Sequence, residues 1–201
     1  MSRPTTGHVR RPAILKAAAE VISERGVIGT RIADVAERAD TSAPGVLYWF
    51  ASKDELLTEA LAFADDGFYK QLSDELARLD SARARLARIV EQWPAEGDGE
   101  AVLWMELWVR ALRDPAVNAA RERLDARWRA VIADVVREGQ AAGEFLPVDP
   151  EGFAMALGAL MDGFAIQLAL HDPAVTPGRV REHCMALVEE RLGREGVADA
   201  I

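Results

Sequence analysis

No stretch of this 201-residue chain sustains the alternating apolar–polar pattern of a strand, whereas apolar residues recur at three- and four-residue intervals through nearly its whole length. That periodicity restricts the fold to helices packed through apolar stripes, an all-α class. Half of the residues are hydrophobic, enough to bury a core in one or two helical domains without metals or disulfides as staples. Cys184 is the sole cysteine, so no intramolecular disulfide can form, and the opening MSRPTTGHVRRP lacks the apolar segment of a secretory signal. A cytoplasmic location is the resulting expectation.

Turn and cap residues divide the pattern. A first helix is expected from about Arg11 to Arg25, with Ile14, Ala18, Val21 and Ile22 on one stripe and Gly26 as a left-handed stop. Thr30 would cap a short second helix that turns Ile32, Val35, Ala36 and Ala39 inward and ends at Asp40. Thr41 or Ser42 can cap a third helix of about two turns, Ala43 to Phe50, with Pro44 tolerated in its first turn. Ser52 restarts the pattern with a long fourth helix, roughly Lys53 to Leu79, and five more follow at about 81–93, 100–113, 116–141, 150–171 and 177–193. The change from short helices to long ones puts the domain boundary after residue 52, giving a head (1–52) and a body (53–201).

Charge follows the same boundary. Residues 1–60 hold eight Lys/Arg and eight Asp/Glu, so the net charge of −9 belongs to the remainder. Arg3, Arg10, Arg11 and Lys16 precede the first acid, Glu20, and form a local basic arm. An acidic body does not exclude nucleic acid if the contacting unit is neutral overall and locally basic.

Three helices in about 50 residues, the second and third short and tightly joined, are the helix-turn-helix arrangement in which the third helix enters the major groove. With Leu47 turned to the core, Thr41, Ser42, Gly45, Tyr48 and Trp49 would point outward, an unusual face for a merely solvated helix. Cap hydroxyls reach phosphates or base edges, Gly45 allows close backbone approach, and the aromatics offer phosphate hydrogen bonds and contact with thymine methyls. One of Tyr48 and Trp49 is expected to pack internally instead.

These residues also carry a resemblance. The run from Ile14 through AAAEVISERG and on to VAERADTSAPGVLYWFASKDELL, over about residues 10–60, resembles the N-terminal signature of the TetR family of repressors. Its most specific elements are Val35-Ala36, the Ser42 cap, the aromatic cluster ending in Phe50, and Ser52-Lys53 leading Leu56-Leu57. The resemblance implies that Lys53 grips a phosphate and that Phe50 anchors head to body. Two positions depart from the family pattern: Asp40 stands where the turn glycine is expected, and Leu47 where a tyrosine is usual, with Tyr48 one place later. The candidate DNA-contacting set is Arg31, Thr41, Ser42, Pro44, Gly45, Tyr48, Trp49 and Lys53. The phrases GEFLPVDPEGFA and ALMDGFAIQLALHDP are similar to the C-terminal domain of a BetI-like subgroup.

In the body, GFAMALGALMDGFAIQLALH, residues 152–171, holds a single charge, Asp162. Its length would span a bilayer, but Asp162 would then sit at the centre and acidic flanks would replace basic anchors, so no membrane partner is expected. A soluble helix apolar on all sides needs a second cover, which a second copy of the chain would supply. The expected homodimer interface is Phe153, Leu157, Leu160, Met161, Phe164, Leu168, Val180, Cys184, Leu187 and Val188. The resemblance implies the same, a symmetric interface built from the last two long helices. Four of the five tryptophans, Trp93, Trp104, Trp108 and Trp128, lie in the body. Trp104, Met105, Trp108 and Trp128, with Phe63, Phe68 and Phe164, form a candidate effector-binding set, against the plainer reading of core packing. Glu106 would favour a cationic effector unless it simply faces water.

These features point to a dimeric, ligand-responsive transcriptional regulator that binds double-stranded palindromic operator DNA. The resemblance implies a repressor released by a small organic effector. No phosphate loop, metal-spaced His/Cys cluster or nucleophile elbow supports an enzyme, and neither a cofactor nor a metal is expected. His183 beside Cys184 reads as a surface histidine next to a core cysteine rather than a catalytic dyad. A helical dimer serving only protein contacts is the remaining alternative.

Overall fold

Helices account for the regular structure of the computed structural model, which describes residues 7–92 and 98–193 and contains no strand among them. The first, α1 (Gly7–Gly29), is interrupted at Gly26, whose φ of 70° and ψ of 170° lie outside the helical region. Positive φ there was legible from the glycine. The extended ψ was not, and it lets the chain restart a further helical turn through Gly29 rather than stop. Thr30 does not cap the next helix. Its hydroxyl donates to the Gly26 carbonyl at 2.7 Å, which satisfies the break and buries the side chain. Arg31 therefore holds the N-cap of α2 (Ile32–Arg38), and its N–H donates to the Asp34 carboxylate at 3.3 Å.

Asp40 has a φ of 50°, the left-handed geometry of a turn between α2 and α3 (Ala43–Leu47). An acidic residue can stand in the glycine position because Asp tolerates that region better than most side chains. Ser52 caps α4 (Lys53–Leu76) by accepting from the Glu55 N–H at 3.0 Å, and Glu55 reaches back to the Ala51 N–H at 2.5 Å. Ile14, Ala18, Val21 and Ile22 of α1, Val35 and Ala36 of α2, Val46, Phe50, and Leu56, Leu57 and Ala60 of α4 form one continuous core.

The remaining helices are α5 (Ala82–Gln92), α6 (Asp98–Ala111), α7 (Pro115–Ala141), α8 (Pro150–Ala169) and α9 (Pro177–Leu192). The chain forms two compact units that do not divide after residue 52. The first comprises the chain to Gln71 together with Val102–Arg121; the second comprises Leu72–Ala101 and the chain from Glu122. Most of α4, and α6 beyond its first turn, thus belong with the head.

Within the second unit α9 packs on both α8 and α5. Arg83–Glu189 at 2.5 Å and Arg181–Glu91 at 2.8 Å join α5 to α9. The loop after α7 is fixed by Gln140, whose amide donates to the Leu146 and Val148 carbonyls at 3.1 and 2.9 Å. By length and composition α8 could cross a membrane, but Phe153, Leu157 and Met161 on it are buried against the chain itself. That burial corrects the expected interface. Phe153, Leu157, Met161, Val180, Cys184 and Val188 are all buried within one subunit, so they form its core and not a free face. Leu160, Phe164, Leu168 and Leu187 are half-buried. An all-round apolar helix has more than one side to cover, and α9 of the same chain takes the first.

Candidate nucleic-acid interface

The third helix is set by its cap and by one buried side chain. Ser42 Oγ accepts the Gly45 N–H at 3.1 Å, and the Thr41 N–H donates to the Ala36 carbonyl at 2.9 Å, closing the turn. A Cβ on residue 45 would lie 2.6 Å from the Thr41 hydroxyl oxygen, so Gly45 is what lets Thr41 fold back over the helix. Val46 is fully buried, whereas Leu47 is 50% exposed. The expectation that Leu47 faces the core is therefore wrong by one residue. Val46 and Phe50 lie four apart on the same side, and both join the head core.

The outer face of α3 is consequently Ser42, Pro44, Leu47 and Tyr48, with Thr41 and Gly45 half-buried beside them. Tyr48 is 80% exposed, while Trp49 packs on the head core and meets the Tyr48 ring edge-on at 5.3 Å. Of the two aromatics, Trp49 is the buttress and Tyr48 the free tip. Arg31 is exposed at the start of α2, and Lys53 is half-buried at the first position of α4. Leu47 as an outward-facing apolar residue was missed by the sequence, since neighbouring Val46 and Leu47 look alike to a periodicity argument.

Several other head cations are turned to acids of the same unit. Arg11 pairs with Glu59, its guanidinium 5.2 Å from the centre of the Phe50 ring. Arg38 bridges Glu24 at 2.8 Å and Glu20 at 3.3 Å, which holds the Glu24 carboxyl below the usual range; Arg25 meets Asp34 at 2.9 Å. Of the expected basic arm, Arg3 lies outside the described residues.

The expected effector residues divide between the units. In the first, Trp104, Met105 and Trp108 lie half-buried on α6, and on α4 Phe63 is exposed while Phe68 meets Tyr69 edge-on at 5.3 Å. In the second, Trp128 of α7 is half-buried near Gly158 of α8, and Phe164 stacks on the exposed His183 at 5.7 Å. Trp93 lies outside the described residues. Glu106 neither faces water freely nor waits for a ligand: its carboxylate accepts the Val27 N–H at 2.6 Å. The acid whose surroundings mark it out is Asp162, whose carboxyl is pushed up to about 6 by burial first and by the neighbouring charge of Asp125, against the opposing pull of Arg129. The sequence signal for it was its isolation in an apolar run. Cys184 is buried, and burial lifts its thiol to about 11, so it stays a neutral core residue.

A short capped helix that turns Ser42, Pro44, Leu47 and Tyr48 outward and is fixed from behind by Val46, Trp49 and Phe50 has the arrangement of the third helix of a helix-turn-helix regulator. Comparison with known proteins then supplies the family. Residues 14–60 match the bacterial regulatory proteins of the tetR family, and residues 82–193, more than half of the chain, match the C-terminal domain of BetI-type transcriptional repressors. The chain belongs to the TetR family, with a BetI-type C-terminal domain, and is a transcriptional regulator and not an enzyme. It is 25% identical to the HTH-type transcriptional regulator BetI 1 of Chromohalobacter salexigens, with 92% of each chain covered. Its structure matches that of a transcriptional regulator from Saccharomonospora viridis in complex with choline, at a TM-score of 0.80 and 31% identity over 92% of this chain and 98% of the other. The fold alone is shared with FadR from Bacillus subtilis in complex with stearoyl-CoA, at a TM-score of 0.69 and 16% identity over 88% of this chain and 96% of that one.

Proposed function

We propose that this protein is a cytoplasmic, dimeric repressor that binds palindromic operator DNA through α3 and leaves it when a small organic cation binds the body. The observation that carries the DNA reading is the exposure of Ser42, Pro44, Leu47 and Tyr48 on a helix whose opposite side is locked into the head core. The Ser42 hydroxyl and Tyr48 supply hydrogen bonds to the backbone, Leu47 an apolar contact for thymine methyls, and Arg31 and Lys53 positive charge at either flank. Two such helices in a symmetric dimer, about 34–36 Å or a multiple apart, read the two halves of a palindrome.

Dimerisation would use the side of α8 that the subunit leaves open. Met155 and Leu170 are 62% and 67% exposed, and Ala159, Gly163 and Gln167 lie exposed between them. A Cβ on Gly163 would meet nothing within 4 Å, so a helix from a second copy could approach closely there.

The choline bound to the Saccharomonospora viridis relative supports a quaternary or protonated amine as effector. Within the second unit of this chain the Asp162 carboxyl is pushed up by burial and by the charge of Asp125, against the pull of Arg129, and Trp128 lies on the same helix as Asp125. A cation placed beside Asp162 would add to the pull of Arg129 and favour the charged carboxylate. Selection of bound sequences from a random DNA pool, followed by release assays with choline, tests both halves. A pool that converges on no sequence, or one bound equally well by Tyr48→Ala and Lys53→Ala variants, refutes the DNA half. Release of the selected operator by fatty acyl-CoA and not by choline refutes the cation half.

A further inference from the structure

In the major groove each base has its own partners: guanine is read by Arg or Lys, adenine by Asn or Gln, cytosine by Asp or Glu, and thymine by apolar contact with its 5-methyl group. From Thr41 to Tyr48 the chain reads TSAPGVLY and holds none of the first three kinds of side chain. The cation nearest in sequence, Arg38 at the end of α2, is held by Glu24 at 2.8 Å and Glu20 at 3.3 Å. Arg31 and Lys53, at the starts of α2 and α4, flank α3 and do not lie on it. The hydroxyls discriminate weakly, because an O–H serves a donor or an acceptor alike, and Ser42 Oγ already accepts the Gly45 N–H.

What α3 presents is apolar. Pro44, Leu47 and Tyr48 stand at positions i, i+3 and i+4, which share one side of a helix, and all three are exposed. Leu47 keeps 50% of its surface open although Val46 beside it is fully buried. Such a ridge gains nothing from a phosphate or a polar base edge. Its match in a duplex is the thymine methyl, the one methyl on the major-groove edge of a base pair. Cations at both flanks and an apolar centre complement phosphates outside and methyls inside.

We infer that this protein reads its operator through thymine methyl groups, with Leu47 as the specificity-determining residue and Pro44 beside it on the ridge. This rests on the DNA-binding reading above and adds the base to it: each half-site carries A·T pairs where α3 lies, with a thymine methyl against Leu47. Arg31 and Lys53 add affinity on any sequence; the ridge chooses among sequences.

The test uses the full-length protein and the operator selected from the random pool. Thymines are replaced one at a time by uracil, which pairs identically and lacks only the methyl, and binding is measured for wild type, Leu47→Ala and Pro44→Ala. Wild type should lose about fourfold in affinity for each covered methyl, and about 15-fold when the two symmetric positions change together. Leu47→Ala should bind the thymine operator several-fold more weakly and be indifferent to uracil at the positions Leu47 covers, a coupling that partial unfolding does not imitate. Because uracil alters only the DNA, the wild-type scan decides whether methyls are read even if Leu47→Ala binds too weakly to measure. Half-sites built of G·C pairs under α3, or wild-type binding unchanged with uracil at every thymine, overturn the inference. So does a Leu47→Ala protein as sensitive to uracil as wild type at every position. A pool that converges on no sequence refutes the DNA-binding reading and this inference with it, whereas a convergent operator bound equally well with uracil refutes the inference alone.

Discussion

Single side chains in α3 separate the buried side of the helix from its exposed one. Val46 and Leu47 are adjacent aliphatics, yet one is fully buried and the other half exposed. Val46→Ala should lower the unfolding free energy by about 2 kcal/mol in chemical denaturation, and Leu47→Ala by only about 0.5 kcal/mol. Equal losses would show that the helix is rotated so that Val46 and Leu47 share the core equally. Asp162 sets a second, pH-dependent expectation. Its folded carboxyl sits near 6 against an ordinary 3.8, so the folded state holds the proton more tightly than the unfolded chain does. The stabilisation this gives is complete below about pH 4 and disappears as the pH rises through about 6. Asp162→Asn should therefore be more stable than wild type near neutral pH, by on the order of 1–2 kcal/mol once its remaining solvent contact is allowed for. It should also lose the fall in stability between about pH 4 and 6, readable by thermal unfolding across that range. A wild type with no such fall would show that Asp162 is ordinarily solvated.

The interruption of α1 is the element whose geometry depends most on one residue type. At φ 70° and ψ 170°, Gly26 occupies a region essentially closed to L side chains, and Glu106 leaves little room for a Cβ. Gly26→Ala should cost about 1–3 kcal/mol of stability, which straightening of α1 into a continuous helix does not recover. Straightening would take the Val27 N–H away from the Glu106 carboxylate, so circular dichroism should show no compensating gain in helix. A variant as stable as wild type and more helical would refute this account of the break. The helix boundaries themselves were largely readable. Caps at Ser42 and Ser52 and the proline at the start of α3 announce themselves in the sequence, because their chemistry is local.

Assembly is where one subunit leaves the most to a second copy. The exposed line Met155, Ala159, Gly163, Gln167 and Leu170 has small residues at its centre, and Gly163→Arg would place a long charged side chain there. If α8 is the dimer face, sedimentation should show that variant shifted to monomer, with a cooperative thermal transition retained. Loss of operator affinity should accompany the shift, since one head makes only half of the phosphate and base contacts. A Gly163→Arg protein that remains dimeric would place the interface elsewhere. Only the face left open, not the apolar content of the helix, can nominate such a surface: Phe153, Leu157 and Met161 look equally suited to it in sequence but are already buried.

Periodicity, caps and turn residues were enough to establish the all-α class, the helices of the described residues to within a few positions and the short third helix with its Ser42 cap, because each depends on interactions reaching no further than about one helical turn. The orientation of α3 by Val46, the engagement of Glu106 with Val27, and the grouping of α6 with the head came from the tertiary structure alone. These depend on which side of a helix meets a partner remote in the chain, and residues 79 positions apart leave no trace of their meeting in local spacing.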